Sequence, residues 1–145
     1  MEIHITLKQE KDELDHVPDQ AFCVIKHKAV SEVYTNIGLP EFFYYLGEPI
    51  LPIPENELSE YYTPPDKKFI YKLNEETILL KRNEISENIS RNEYMSCVTN
   101  SAKKMYRTIS HTHYSLNDIG WKNYFEEKWK KLFTYLSNCS SASLC

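Results

Sequence analysis

The sequence predicts an α+β chain: a small, mostly antiparallel sheet packed with about three to four helices, with a long amphipathic helix near the C-terminal end. Three observations carry this. Residues Ile3-His4-Ile5-Thr6-Leu7 alternate strictly between apolar and polar, as a half-buried strand does. Lys68–Lys72 and Thr77–Lys81 flank Asn74-Glu75-Glu76, two short runs around a turn that read as a hairpin. From Trp121 to Leu136 apolar residues recur at helical spacing, with lysines and glutamates between them.

Taken in order, residues 3–7 form the first strand. Asp12–Gln20 is polar, carries Pro18 and reads as a loop. Ala21–Ile25 is apolar and suits either a strand or the first turn of the next helix, which periodicity cannot decide at this length. Val30, Val33, Tyr34 and Ile37 fall at i, i+3, i+4 and i+7 and predict a helix. Gly38 then stands where a left-handed C′ residue belongs, and Pro40 blocks continuation. Five prolines between Pro49 and Pro65 exclude a helix or a central strand there and predict a long ordered surface loop. After the hairpin, with Ile70, Leu73, Ile78 and Leu80 on its buried side, Glu84–Arg91 is ambiguous and Tyr94–Val98 reads as a strand. Thr99, Asn100 and Ser101 are good N-cap residues for a helix whose stripe is Ala102, Met105, Tyr106 and Ile109. The last helix is capped by Asn117 or Asp118. Its stripe is Trp121, Tyr124, Phe125, Trp129, Leu132, Phe133 and Leu136, with Glu126→Lys130 and Glu127→Lys131 pairs outside. That stripe has core spacing, which outweighs a ligand groove.

At 145 residues the chain reads as one domain over 1–139 with a flexible tail at 140–145. Its net charge of −4 gives no basic face for phosphates, so no direct nucleic-acid binding is expected. The longest apolar stretch, Phe42–Leu46, is far below the ~20 residues of a membrane helix. The start, MEIHITLKQEKDELD, is charged and lacks the apolar core of a secretion signal. Cys23, Cys97, Cys139 and Cys145 show no CxxC spacing, so reduced thiols and a cytoplasmic location are expected.

Residues able to carry chemistry are few. His111-Thr112-His113 would bind zinc on a strand, where both rings share a face. After a helical stripe, however, i and i+2 diverge, and a helix C-terminal position suits these imidazoles better. Cys97 near a helix start could be an activated thiolate with His4, His16 or His27 as a distant base, but small buried thiols are the plainer reading of Cys97 and Cys23. No catalytic, cofactor-binding or metal-ligating residue is assigned, and no cofactor is expected. Glu55, Glu57, Glu60, Tyr61, Tyr62 and Asp66 lie in the proline-rich stretch. They read either as a solvated loop or as an interface with aromatic anchors inside an acidic rim.

The order of a helix ending in Gly38-Leu39-Pro40, then strands, then Val98-Thr99-Asn100-Ser101 leading into a helix, resembles the SUKH superfamily of immunity proteins. The motifs are short and cover about two-thirds of the chain; Ala102 stands where the pattern has another hydroxyl residue. The resemblance implies a single α+β domain that binds and neutralises a cognate bacterial toxin, often a nuclease or nucleic-acid deaminase, by covering its active site or substrate cleft. It implies a non-enzymatic binding protein; joined to the acidic, tyrosine-bearing stretch read above, Glu55, Glu57, Glu60, Tyr61, Tyr62 and Asp66 are then the expected toxin-binding set, and a monomer is favoured. The alternatives are a small hydrolase or metal-dependent enzyme using His111 and His113, or an interaction adaptor without a toxin.

Overall fold

A computed structural model describes residues 1–7, 21–53, 68–113 and 119–141, and the side chains of all of these except 111–113, 119–122 and 124, with Asn123 described. Its elements are β1 (Glu2–Leu7), β2 (Ala21–His27), β3 (Val30–Ile37), α1 (Leu39–Gly47), β4 (Ile70–Lys72), β5 (Thr77–Arg82), β6 (Ile85–Ser90), α2 (Arg91–His113) and α3 (Ile119–Ser141). The fold is α+β, with two three-stranded antiparallel sheets in place of one, ordered β1-β2-β3 and β4-β5-β6, and three helices among the described residues. None of these helices is long and apolar enough to cross a membrane.

In the first sheet, Ile5, Cys23 and Tyr34 form one cross-strand row and Ile3, Ile25 and Glu32 the next. Those rows face the core. Val24 and Val33 pair on the opposite face, where Val33 is exposed. Residues 30–37 are therefore a strand, which corrects the helix expected there. Their apolar residues satisfy a helical stripe, but Val30, Val33, Thr35 and Ile37 are β-branched and fit a pleated surface better. A turn at Lys28-Ala29, with Lys28 at φ 53°, folds the strand back onto β2.

Gly38 and Pro40 consequently open a helix; they do not end one. Gly38 has φ −69° and ψ 143°, an extended N-cap conformation, and Pro40 lies in the first turn of α1, where its missing N–H costs nothing. The run Phe42–Leu46 then winds into a helix buried throughout.

The start of α2 also moves. Tyr94–Val98, expected as a strand, and Thr99–Ser101, expected as its cap, are all inside this helix. The cap is Ser90, whose Oγ accepts the Glu93 N–H at 3.2 Å. Ser90-Arg91-Asn92-Glu93 has the S-x-x-E spacing of a capping box. Arg91, 5% exposed, ties this start to other elements: its guanidinium donates to the Cys139 carbonyl at 2.5 Å and, at 3.4 Å, to that of Glu75. A cation there suits the last turn of α3.

The core joins both sheets and all three helices in one cluster. It is rich in tyrosine, and the hydroxyls have partners: Tyr94 donates to the Leu46 carbonyl at 2.5 Å, Tyr135 to that of Leu51 at 2.6 Å, and Tyr34 to the Tyr45 hydroxyl at 3.3 Å. Burial pushes the Tyr34, Tyr45 and Tyr94 hydroxyls above their usual range. The sheets meet through the Arg82–Glu32 ion pair. The other Glu32 oxygen accepts the Val33 N–H at 2.9 Å. Ser140 and Ser141 lie in the last turn of α3; residues 142–145, the expected loop at 12–20 and the part of the expected proline-rich loop from residue 54 onward lie outside the described residues.

Candidate functional site between α2 and α3

An open recess on the described surface lies along α3 where it meets Tyr106 of α2. Phe125, Trp129, Leu132, Tyr135, Leu136 and Cys139 of α3 turn into the core. Phe133, expected in the same buried stripe, is only half-buried, because its helical phase carries it to the flank of α3. There it meets Tyr106 of α2 edge to face, with ring centroids 5.7 Å apart. Tyr106 also stacks nearly parallel on Phe125 at 5.8 Å.

Beside these rings lies an open groove of about 780 Å³ along α3, lined by Tyr106 and Phe133 and edged by Glu126, Glu127, Lys130, Thr134, Ser137 and Asn138. The Tyr106 hydroxyl donates to Glu126 Oε2 at 2.6 Å, a short bond of the kind a carboxylate accepts. That bond holds Glu126 in place at the groove. Glu127 pairs with Lys131 at 3.5 Å, as expected from their spacing. The recess thus combines aromatic walls with an oriented carboxylate.

The residues singled out from sequence distribute differently. Glu55, Glu57, Glu60, Tyr61, Tyr62 and Asp66 lie outside the described residues. His111 and His113 stand at the C-terminal end of α2, and their side chains lie outside those described. Cys97 is inside α2, half-buried, with Sγ 3.1 Å from the Met1 carbonyl oxygen. Burial pushes its thiol up, the opposite of an activated thiolate. Cys23 is fully buried in β2, and burial raises its thiol to about 12. His4 is exposed on β1 beside Glu2 at 3.2 Å, whereas His27 is buried in β2. No group of three or more metal-ligating side chains occurs among the described residues.

Sequence reasoning placed Tyr106 in a core stripe and Glu126 on an outer face, and so missed their meeting. A signal was present: Tyr106 is the one stripe residue of that helix with a polar end, and a half-buried tyrosine hydroxyl seeks a partner. No protein family matches the chain, and no curated protein or solved structure is significantly similar to it.

Proposed function

We propose that this chain is an immunity-type inhibitor that binds a basic protein toxin and covers its active site or substrate cleft, the cleft being one that takes nucleic acid. The observation that carries the reading is where the negative charge lies. Residues 8–20 and 54–67 together hold nine acidic residues and three lysines, so these two stretches contain more negative excess than the whole chain, whose net charge is −4. A nuclease or deaminase cleft is built to attract a polyanion, and concentrated carboxylates compete for it. Glu55, Glu57, Glu60 and Asp66 would supply the charge, and Tyr61 and Tyr62 the anchors. The motif order around Gly38-Leu39-Pro40 and Asn100-Ser101 supports the same reading by resemblance, although these residues open and fill helices here instead of ending and capping them. The protein would act in the cytoplasm without a cofactor.

The test is inhibition. The toxin encoded beside this gene is assayed on its nucleic-acid substrate with the purified protein in stoichiometric excess. Loss of toxin activity is expected, with slower and less salt-sensitive association for a Glu55→Lys/Glu57→Lys/Glu60→Lys variant. Unchanged toxin activity at excess overturns the proposal.

A further inference from the structure

We propose that the outer edge of β1 pairs with β1 of a second copy of this chain, antiparallel and two-fold symmetric about Ile5, joining the two first sheets into one. The argument starts from how the sheet edges are guarded. An unpaired edge is a template for another strand, and proteins blunt it with short strands, inward-pointing charges or a covering element. The outer side of β3 meets β5 and β6 of the second sheet and is tied there by the Arg82–Glu32 ion pair. β4 is only three residues long, and the Tyr45 hydroxyl bonds the backbone of Phe69 beside it. β6 sets Glu87 directly opposite the buried Leu80, a carboxylate in the core-facing row. Among the described residues, β1 shows none of these devices. It is six residues long, holds an unbroken register from Glu2↔Lys26 to Leu7↔Ala21, and contains neither proline nor lysine. The Cys97 thiol of α2 donates to the Met1 carbonyl, but among the described residues no hydrogen bond from an element other than β2 falls on residues 2–7.

The same edge leaves apolar surface unfinished. Ile3, Ile5 and Leu7 face the core yet are only half-buried, whereas their β2 neighbours Ile25, Cys23 and Ala21 are fully buried. A further strand beside β1 covers them. The sequence of β1 specifies which strand fits. Directly opposite residues of an antiparallel pair share a face, so the incoming strand must set apolar residues against positions 3, 5 and 7. Ile3-His4-Ile5-Thr6-Leu7 does this when turned on itself. About Ile5, the two Ile5 side chains meet, Ile3 meets the second copy's Leu7, and His4 meets the second copy's Thr6 on the outer face. No charge meets a like charge. The neighbouring symmetric register, about His4, matches the faces too but sets imidazole against imidazole, which disfavours it. One strand edge per copy is a small interface, so the dimer is reversible and concentration-dependent. The resemblance favours a monomer; the unguarded edge points to this dimer, independently of the inhibitor reading.

The test measures the mass of the full chain by sedimentation between about 10 μM and about 1 mM. A shift from monomer toward dimer over that range is expected. Amide hydrogen exchange in residues 2–7 should slow as the dimer forms, while exchange in β6 stays unchanged. Two double variants read the register. Positions 4 and 6 are exposed on the outer face, so changes there spare the core. His4→Lys/Thr6→Lys sets lysine against lysine twice and should weaken the dimer roughly tenfold. His4→Glu/Thr6→Lys sets opposite charges together at the same two places and should restore or tighten it. Both variants should keep the wild-type urea midpoint at low concentration. A monomer throughout the range overturns the proposal, and so does a dimer on which the two variants act alike.

Discussion

Against α1, helix α3 closes to contact distance: a Cβ added at Gly47 would lie 2.8 Å from Tyr135 Cε1 and 3.0 Å from Cys139 Sγ. On the side that meets α2, the same helix borders an open groove of about 780 Å³, lined by Tyr106 of α2 and by seven residues of α3. The residues at the crossings explain the difference. Glycine and cysteine let α1 and α3 approach, and Tyr44 packs on Tyr135 at 4.9 Å to seal the contact. On the other side, the large Tyr106 ring is wedged among Phe125, Trp129 and Phe133. One helix thus has a closely packed face and a more open flank. A binding surface is found where packing is incomplete and polar groups are nonetheless fixed.

The largest expected effect comes from the residue that serves both sides. Trp129 is 2% exposed and contacts Phe43 of α1 at 6.2 Å and Tyr106 of α2 at 5.8 Å. Trp129→Ala should cost ~3–5 kcal/mol, read as a fall in the urea midpoint. A loss below about 1 kcal/mol would mean that the two faces are not joined through this ring.

Next comes the closed side alone. Gly47→Ala should cost ~1–3 kcal/mol, since Tyr135 must shift and its 2.6 Å bond to the Leu51 carbonyl shifts with it. The matching change on the groove, Ser137→Ala, touches an exposed edge residue and should stay within about 0.5 kcal/mol. Equal costs for both variants would erase the distinction between the faces.

How far the sequence discloses this molecule follows the same division. In α3, Phe125, Trp129, Leu132 and Leu136 turn into the core as their spacing predicts, and the β4–β5 hairpin stands where it was expected with Ile70, Ile78 and Leu80 buried, but Leu73, expected on the same side, is exposed because it lies past the end of β4 at the turn. The region from Val30 to Pro40 was not legible in this way. Eight residues satisfy both a helical stripe and a strand, and the β-branched content that decides between them was outweighed by the Gly38–Pro40 signal, which marks a helix start as readily as a helix end. Ser90-Arg91-Asn92-Glu93 was a readable start for α2, overshadowed by the three polar residues at 99–101 inside the helix. The groove depends on which ring turns inward where two helices cross. Tyr106 and Glu126 are twenty positions apart, and no local pattern announces a contact at that separation.

A pH experiment sharpens the closed side further. Burial raises the Cys139 thiol from 9.0 to about 11, and its Sγ lies 3.7 Å from the Gly47 carbonyl oxygen. A thiol whose folded value is raised favours the folded state fully below the unfolded value. That contribution is lost as pH climbs from about 9 through about 11. Stability measured by urea unfolding should therefore fall over this window, and Cys139→Ala should remove part of the slope. Parallel pH curves for the two proteins would show that the thiol is not confined in solution as it is beside Gly47.

The smallest effect belongs to the open side. Tyr106→Phe keeps the ring, and with it the contacts to Phe125, Trp129 and Phe133, but deletes the hydroxyl that bonds Glu126. A partly exposed bond of this kind is worth ~0.5–1.5 kcal/mol, and water can replace the lost donor at the groove, so the urea midpoint should move toward the lower end of that range. The informative readout is the order of the Glu126 side chain, followed by NMR relaxation of its methylene groups, which should become more mobile while the Trp129 ring stays rigid. If mobility rises at Trp129 as well, the Tyr106 hydroxyl supports the core, and the groove is not a separable part of the α2–α3 contact. If neither side chain changes, Glu126 is held by other neighbours, and its orientation at the groove does not depend on Tyr106.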